Sequence, residues 1–231
     1  MPEGLSATEV GKEIAERRTH AAGAGRDRIV AIVEAVMLAV VAVLAAYSGY
    51  AAAKWGTRSS VTLASASAAR TKANRANLEA LQIRTLDAVT FNAWFTAFTT
   101  GDHGDQRLAE KRLRPGYRPA FRAWLATDPA HNPNAPPGPG YMPQYRIPQD
   151  RAARLYDAKA DAEFARGSDA GDTSDKYIRD TVFLATVLFL VGIAGHFQVR
   201  QARLGLIGVA AAMLVFSVVQ LLALPGPPGG I

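Results

Sequence analysis

The stretch from Ile29 to Ala53 limits what this chain can fold into more than any other. It is a run of 25 residues in which Glu34 is the one charged side chain. As a helix rising about 1.5 Å per residue it spans roughly 37 Å, enough to cross the hydrocarbon of a bilayer with some tilt. The next proline is Pro115, so the same helix can continue from the apolar run into a polar body. Small residues recur along it at spacings of three and four, forming one stripe of a helix. The stripe runs through Ala35, Ala39, Ala42, Ala46, Gly49 and Ala53. Such stripes let helices approach closely in lipid. This one is expected to pack either on later helices of the same chain, the simpler arrangement, or on another copy.

Two more apolar segments lie near the C-terminal end. In residues 181–199 His196 is the only ionisable group, and in residues 204–224 only Ser217 and Gln220 are polar. A mean hydropathy near zero therefore conceals three apolar helices flanking a polar middle. The expected fold is all-α: an integral membrane protein with three transmembrane helices and a long-helix extracytoplasmic bundle, the first span continuous with the outer rod. The expected divisions are a cytoplasmic segment at 1–28, a span at 29–53 and an outer helical domain at 54–180. Spans at 181–199 and 204–224 and a disordered tail at 225–231 follow. Ala51-Ala52-Ala53 imitates a signal-cleavage site, but the run is about twice a secretory apolar region. An uncleaved anchor is expected.

Charge sets the expected orientation. Lys12, Arg17, Arg18, Arg26 and Arg28 precede the first span, and Arg200 and Arg203 lie between the second and third. Short basic segments at membrane ends stay on the cytoplasmic side. The N-terminus is thus expected in the cytoplasm, with the main domain and the C-terminus outside. The net charge of +6 fits orientation and headgroup contact, so the lipid bilayer is an expected partner and nucleic acid is not. Cysteine is absent, which removes disulfides, thiol nucleophiles and cysteine-bound metals.

An ionisable residue inside an apolar span calls for a partner. Glu34 lies about 9 Å past Arg28 along the helix, near the end of the span that His196, Arg200 and Arg203 approach. A structural clasp of Glu34 with this group is expected; the alternative is a proton or ion path.

Along the chain, Ser6-Ala7-Thr8-Glu9 has the form of a capping box. It predicts a short helix to about His20, followed by a loose joint at Ala21–Gly25. Phe91, Trp94, Phe95 and Phe98 fall at helical spacing and predict an aromatic core. Gly101–Asp105 reads as a turn with an N-cap. Arg107, Lys111, Arg114, Arg118 and Arg122, interleaved with Leu108, Leu113, Tyr117 and Phe121, predict a basic surface for anionic headgroups, glycans or an acidic partner. Pro119 suits the first turn of a short helix through Leu125, and residues 128–148 form a proline-rich crossover. A helix resumes at Gln149, a break is expected near Gly167–Gly171, and Tyr177, Arg179 and Asp180 mark the outer interface.

Two stretches carry a resemblance. One is Ile32-Val33-Glu34-Ala35-Val36-Met37-Leu38 running into Tyr47-Ser48-Gly49-Tyr50-Ala51-Ala52-Ala53-Lys54-Trp55. The other is Arg114-Pro115-Gly116-Tyr117-Arg118-Pro119-Ala120-Phe121-Arg122-Ala123-Trp124-Leu125-Ala126-Thr127-Asp128-Pro129. Over about residues 28–222 the chain resembles a family of bacterial three-span membrane proteins without an assigned activity. Its members have one N-terminal span, a helical outer domain and a C-terminal pair of spans. The resemblance implies that architecture and a bacterial inner membrane, and transfers no catalytic residue.

No nucleophile elbow, zinc-binding helix, phosphate loop or dinucleotide fingerprint occurs. The expected function is non-catalytic and without a cofactor: a scaffold or accessory subunit of an envelope complex, with a protein partner or self-association. The alternative is a ligand sensor or an oligomeric channel that uses the apolar helices.

Overall fold

A computed structural model describes the backbone of residues 7–197 and 199–229, and the side chains of 28–197, 199 and 201–229. Among the described residues five α-helices follow in order: α1 (Ala7–Thr100), α2 (His103–Arg112), α3 (Arg118–Leu125), α4 (Pro148–Ala194) and α5 (Arg200–Ala223). One 3-10 turn, Pro139–Tyr141, lies between α3 and α4. Among the described residues there is no strand. Three helices are long and apolar enough to cross a membrane: α1, α4 and α5.

α1 is one helix of 94 residues, and the joint expected at Ala21–Gly25 is not there. The backbone passes through the alanines and glycines without a break, since no proline removes a donor. The side chains of Lys12, Arg17, Arg18, Arg26 and Arg200 lie outside the described residues. Further along, Thr57, Thr71, Thr85 and Thr96 each return a hydroxyl to the carbonyl four residues back, which satisfies them inside a helix. The end is a Schellman cap. Gly101 takes a φ of +75°, and the N–H groups of Gly101 and Asp102 reach Phe98 O and Ala97 O. Asp102 then caps α2, accepting from the N–H groups of Gly104 and Asp105 at 2.9 Å each, as the turn-and-cap reading expected.

The chain forms two compact units, one from the segments up to Ser60 and from Gly167 onward, the other Val61–Arg166. In the first, α1 and α4 run antiparallel. Ser48, Ser59 and Ser174 hydroxyls donate to the carbonyls of Tyr177, Gly167 and Ala52 at 3.0, 2.7 and 2.9 Å. Val41, Leu184, Val187, Val191 and Ala210 form its apolar centre, with α5 supplying the last. The outer faces carry large exposed apolar side chains, among them Val43, Phe189 and Leu222.

Two expectations need correcting here. Ala35, Ala39, Ala42, Ala46, Gly49 and Ala53 are all exposed, so the small-residue stripe is not the face that packs within the chain. The packed face is Val41, Ser48, Ala51 and Ala52. The break near Gly167–Gly171 is also absent, because α4 runs through it. These glycines permit close approach instead. A Cβ on Gly171 would stand 3.2 Å from Ser59 Oγ, and one on Gly56 3.4 Å from Ser174 Oγ.

In the second unit an aromatic cluster forms the core. Trp94 is stacked 5.0 Å from Phe98 and meets Phe121 edge-on at 4.8 Å. Phe91 meets Trp124 edge-on at 5.2 Å. Leu113 and Tyr117 close the same cluster. Three of the four expected aromatics point into this core, whereas Phe95 is exposed and touches only its edge through Phe91 and Phe98. α3 begins at Arg118 with Pro119 in its first turn and buries Ala120, Phe121 and Trp124.

Candidate functional site

The packed positions of α1 place one acid where apolar residues belong. Ala66, Ala73, Ala80, Asp87 and Trp94 are buried at intervals of seven, the repeat of helices that coil around each other. Asp87 is 1 % exposed, and a buried charge needs a partner. Arg114 supplies it with a two-pronged contact, Nε to Oδ1 at 3.1 Å and Nη2 to Oδ2 at 2.7 Å. Tyr145 adds a hydroxyl donated to Oδ2 at 3.1 Å. Gly116 leaves room for the guanidinium, since a Cβ there would stand 2.5 Å from Arg114 Nη1.

These contacts perturb the groups around the carboxylate. The Arg114 guanidinium is raised, first by its hydrogen bond to Asp87. Burial, and then the negative charge of Asp87, push the Tyr145 phenol up to about 12. Tyr117 is raised still further by the same causes, burial first. Both phenols therefore keep their protons throughout the neutral range.

A cleft of about 520 Å³ opens beside this cluster, lined by Phe91, Asn92, Tyr117, Tyr141 and Tyr145, with Arg84 and Asp150 among its polar groups. The proline-rich crossover supplies one wall, from Pro137 to Gly140. Gly138 lies against the Phe91 ring, and a Cβ there would meet Cε1 at 3.5 Å. Arg84 Nη2 donates to Asp150 Oδ2 at 2.6 Å.

The basic run divides. Arg107, Lys111, Arg118 and Arg122 surround a second depression of about 300 Å³ with Glu110 and Phe121. Arg118 is tied to the end of α2, donating to Leu113 O and Lys111 O at 3.2 Å each. Arg107, Lys111 and Arg122 have no acidic partner among the described residues. Arg114, expected on this surface, is turned inward to Asp87 instead.

In the first unit Glu34 accepts both prongs of Arg203, at 2.8 Å from Nε and 2.7 Å from Nη2. His196, expected beside Glu34, is exposed and, just past the end of α4, faces Gly192 O of that helix at 3.2 Å. Tyr177 and Asp180 are packed inside the unit, 1 % and 0 % exposed. Asp180 accepts hydroxyls from Ser217 of α5 at 2.5 Å and from Ser48 of α1 at 3.3 Å. Tyr177 donates to Pro225 O at 2.8 Å. Asp87, Tyr145, Asp180, Ser48 and Ser217 thus belong to polar centres that spacing arguments passed over. The available signal was an acid falling in register with buried alanines.

Compared with protein-family models, with curated proteins and with solved structures, the chain matches none.

Proposed function

We propose that this chain is a non-catalytic, membrane-anchored scaffold or accessory subunit of a bacterial envelope complex. The three apolar helices sit in the cytoplasmic membrane with the N-terminus inside, and the Val61–Arg166 unit faces outward. Exposed apolar side chains on all three helices of the first unit favour lipid as their surroundings. The outward unit presents its basic depression to an acidic protein partner.

The single observation that supports this reading best is the grouping of Arg107, Lys111 and Arg122, without an acidic partner among the described residues, at one depression beside Phe121. Cations already neutralised within a fold add little to binding, whereas unpaired ones steer and hold an acidic surface. The test is in-cell cross-linking followed by purification of the wild-type chain and of R107E/R122E. The reading requires a cross-linked species that the double variant loses while its melting temperature stays unchanged. Equal capture by both chains would exclude this surface.

The cleft beside Phe91 favours a second reading, a sensor that binds a small ligand outside the membrane.

A further inference from the structure

The cleft beside Asp87 has the size of a small-molecule site, which typically runs from about 300 to 1,000 Å³. Its chemistry narrows the occupant. Every charged group that lines it and is described is already paired: Asp87 with Arg114, and Asp150 with Arg84. An ionic ligand would have to displace one of these contacts and leave the displaced charge to find another partner. A neutral ligand rich in hydroxyls would not. It can use the hydrogen-bonding capacity that the pairs leave over: Asp150 Oδ1, the remaining N–H groups of Arg84 and the amide of Asn92.

Two tyrosines point the same way. Tyr117 is 3 % exposed and lines the cleft. Its ring is held edge-on against Tyr145 at 5.5 Å. Its hydroxyl has no hydrogen-bond partner among the described residues and is not sealed from solvent, which leaves it open to an occupant of the cleft. Tyr141, by contrast, is 74 % exposed and stands in the same lining, offering a free aromatic face. An aromatic face for C–H groups beside planar polar side chains for hydroxyls suits a sugar ring. The crossover wall argues against an extended peptide, because Pro137 and Pro139 lack the N–H donors that a peptide backbone would pair with.

We propose that this cleft binds an uncharged saccharide, with Tyr141 as the stacking face and the Tyr117 hydroxyl, Asn92, Arg84 and Asp150 as its hydrogen-bonding groups. This rests on the cleft alone and not on the scaffold reading, whose partner surface is a separate depression.

The test uses the full chain in lipid nanodiscs, titrated by calorimetry with glucose, N-acetylglucosamine, cellobiose and chitobiose, and with glutamate and triproline as charged and peptide comparators. Saturable binding of at least one sugar, with neither comparator binding, is expected. Tyr117→Phe should weaken that sugar about threefold to tenfold, the loss of one hydrogen bond, without lowering the melting temperature. Tyr141→Ala should weaken it as well. The proposal is overturned if no sugar binds to the folded chain, if a comparator binds in place of sugar, or if both variants bind sugar as the wild type does. Partner capture by the basic depression is read independently, so failure there leaves this result standing.

Discussion

Asp87 shows what a single polar residue does when a helix repeat carries it into a core. Its carboxylate is held by Arg114 and Tyr145, and removing Arg114 leaves its buried charge without compensation. Arg114→Ala is expected to cost about 3–5 kcal/mol, the usual penalty for breaking a buried pair from one side. Asp87→Leu combined with Arg114→Met should recover most of that loss, since neither charge remains. Denaturant unfolding of the two variants checks both statements. Tyr145 adds a pH dependence. Its phenol rises from 10.0 to about 12 in the fold, so folding favours the neutral form. The resulting stabilisation is fully present below pH 10 and is lost as pH climbs through about 12. Over that window the stability of Tyr145→Phe should fall less steeply than that of the wild type, as measured by melting temperature against pH. At this scale the sequence was only partly legible. Glu34 announced its need for a partner by standing alone in an apolar run. Arg203 and His196 were indistinguishable as partners by spacing, and only the fold brings Arg203 to the carboxylate. Asp87 and Asp180 gave weaker signals, because an acid on a long helix is more often solvated.

At the scale of elements the packing of α1 follows sevens. Ala52, Ser59, Ala66, Ala73, Ala80, Asp87 and Trp94 are buried in turn, and α4 answers with Ala170, Tyr177, Leu184 and Val191 at the same interval. A strict seven-residue repeat implies helices coiling around one another, and alanine in it lets the backbones approach closely. Small residues alone pointed to the neighbouring stripe through Ala46 and Gly49, because smallness marks both a tight interface and a face that contacts only lipid or solvent. The interval of seven, carried beyond the apolar run to Trp94, separates the two. A contrast follows. Ala73 is fully buried, so Ala73→Leu should overpack the seam and cost about 1–3 kcal/mol. Ala46→Leu, on an exposed position, should change the melting temperature little. Equal losses would mean that the outer stripe is also covered in the intact protein, by another copy of the chain. Gly171 teaches the same lesson from the other side: a glycine that weakens an isolated helix suits a position where a Cβ would stand 3.2 Å from Ser59 Oγ.

For the whole molecule, the partition into apolar helices and a polar helical unit follows from composition along the chain, and the long crossover between α3 and α4 from its prolines. Orientation rests on charge alone. Arg28 stands just before the first apolar run, and Arg203 in the first turn of the third apolar helix; short basic segments resist translocation because moving each cation across the lipid is costly. The absence of cysteine makes this directly measurable, since a single introduced thiol is the only one to react. Gln144→Cys, on an exposed position of the proline-rich crossover, should react with an impermeant maleimide in intact spheroplasts. Gln201→Cys, exposed at the start of α5, should react only after the membrane is opened. If only Gln201→Cys reacts from outside, the basic depression and the aromatic cleft face the cytoplasm. The envelope partner and the external saccharide would then both lose access to the surfaces assigned to them.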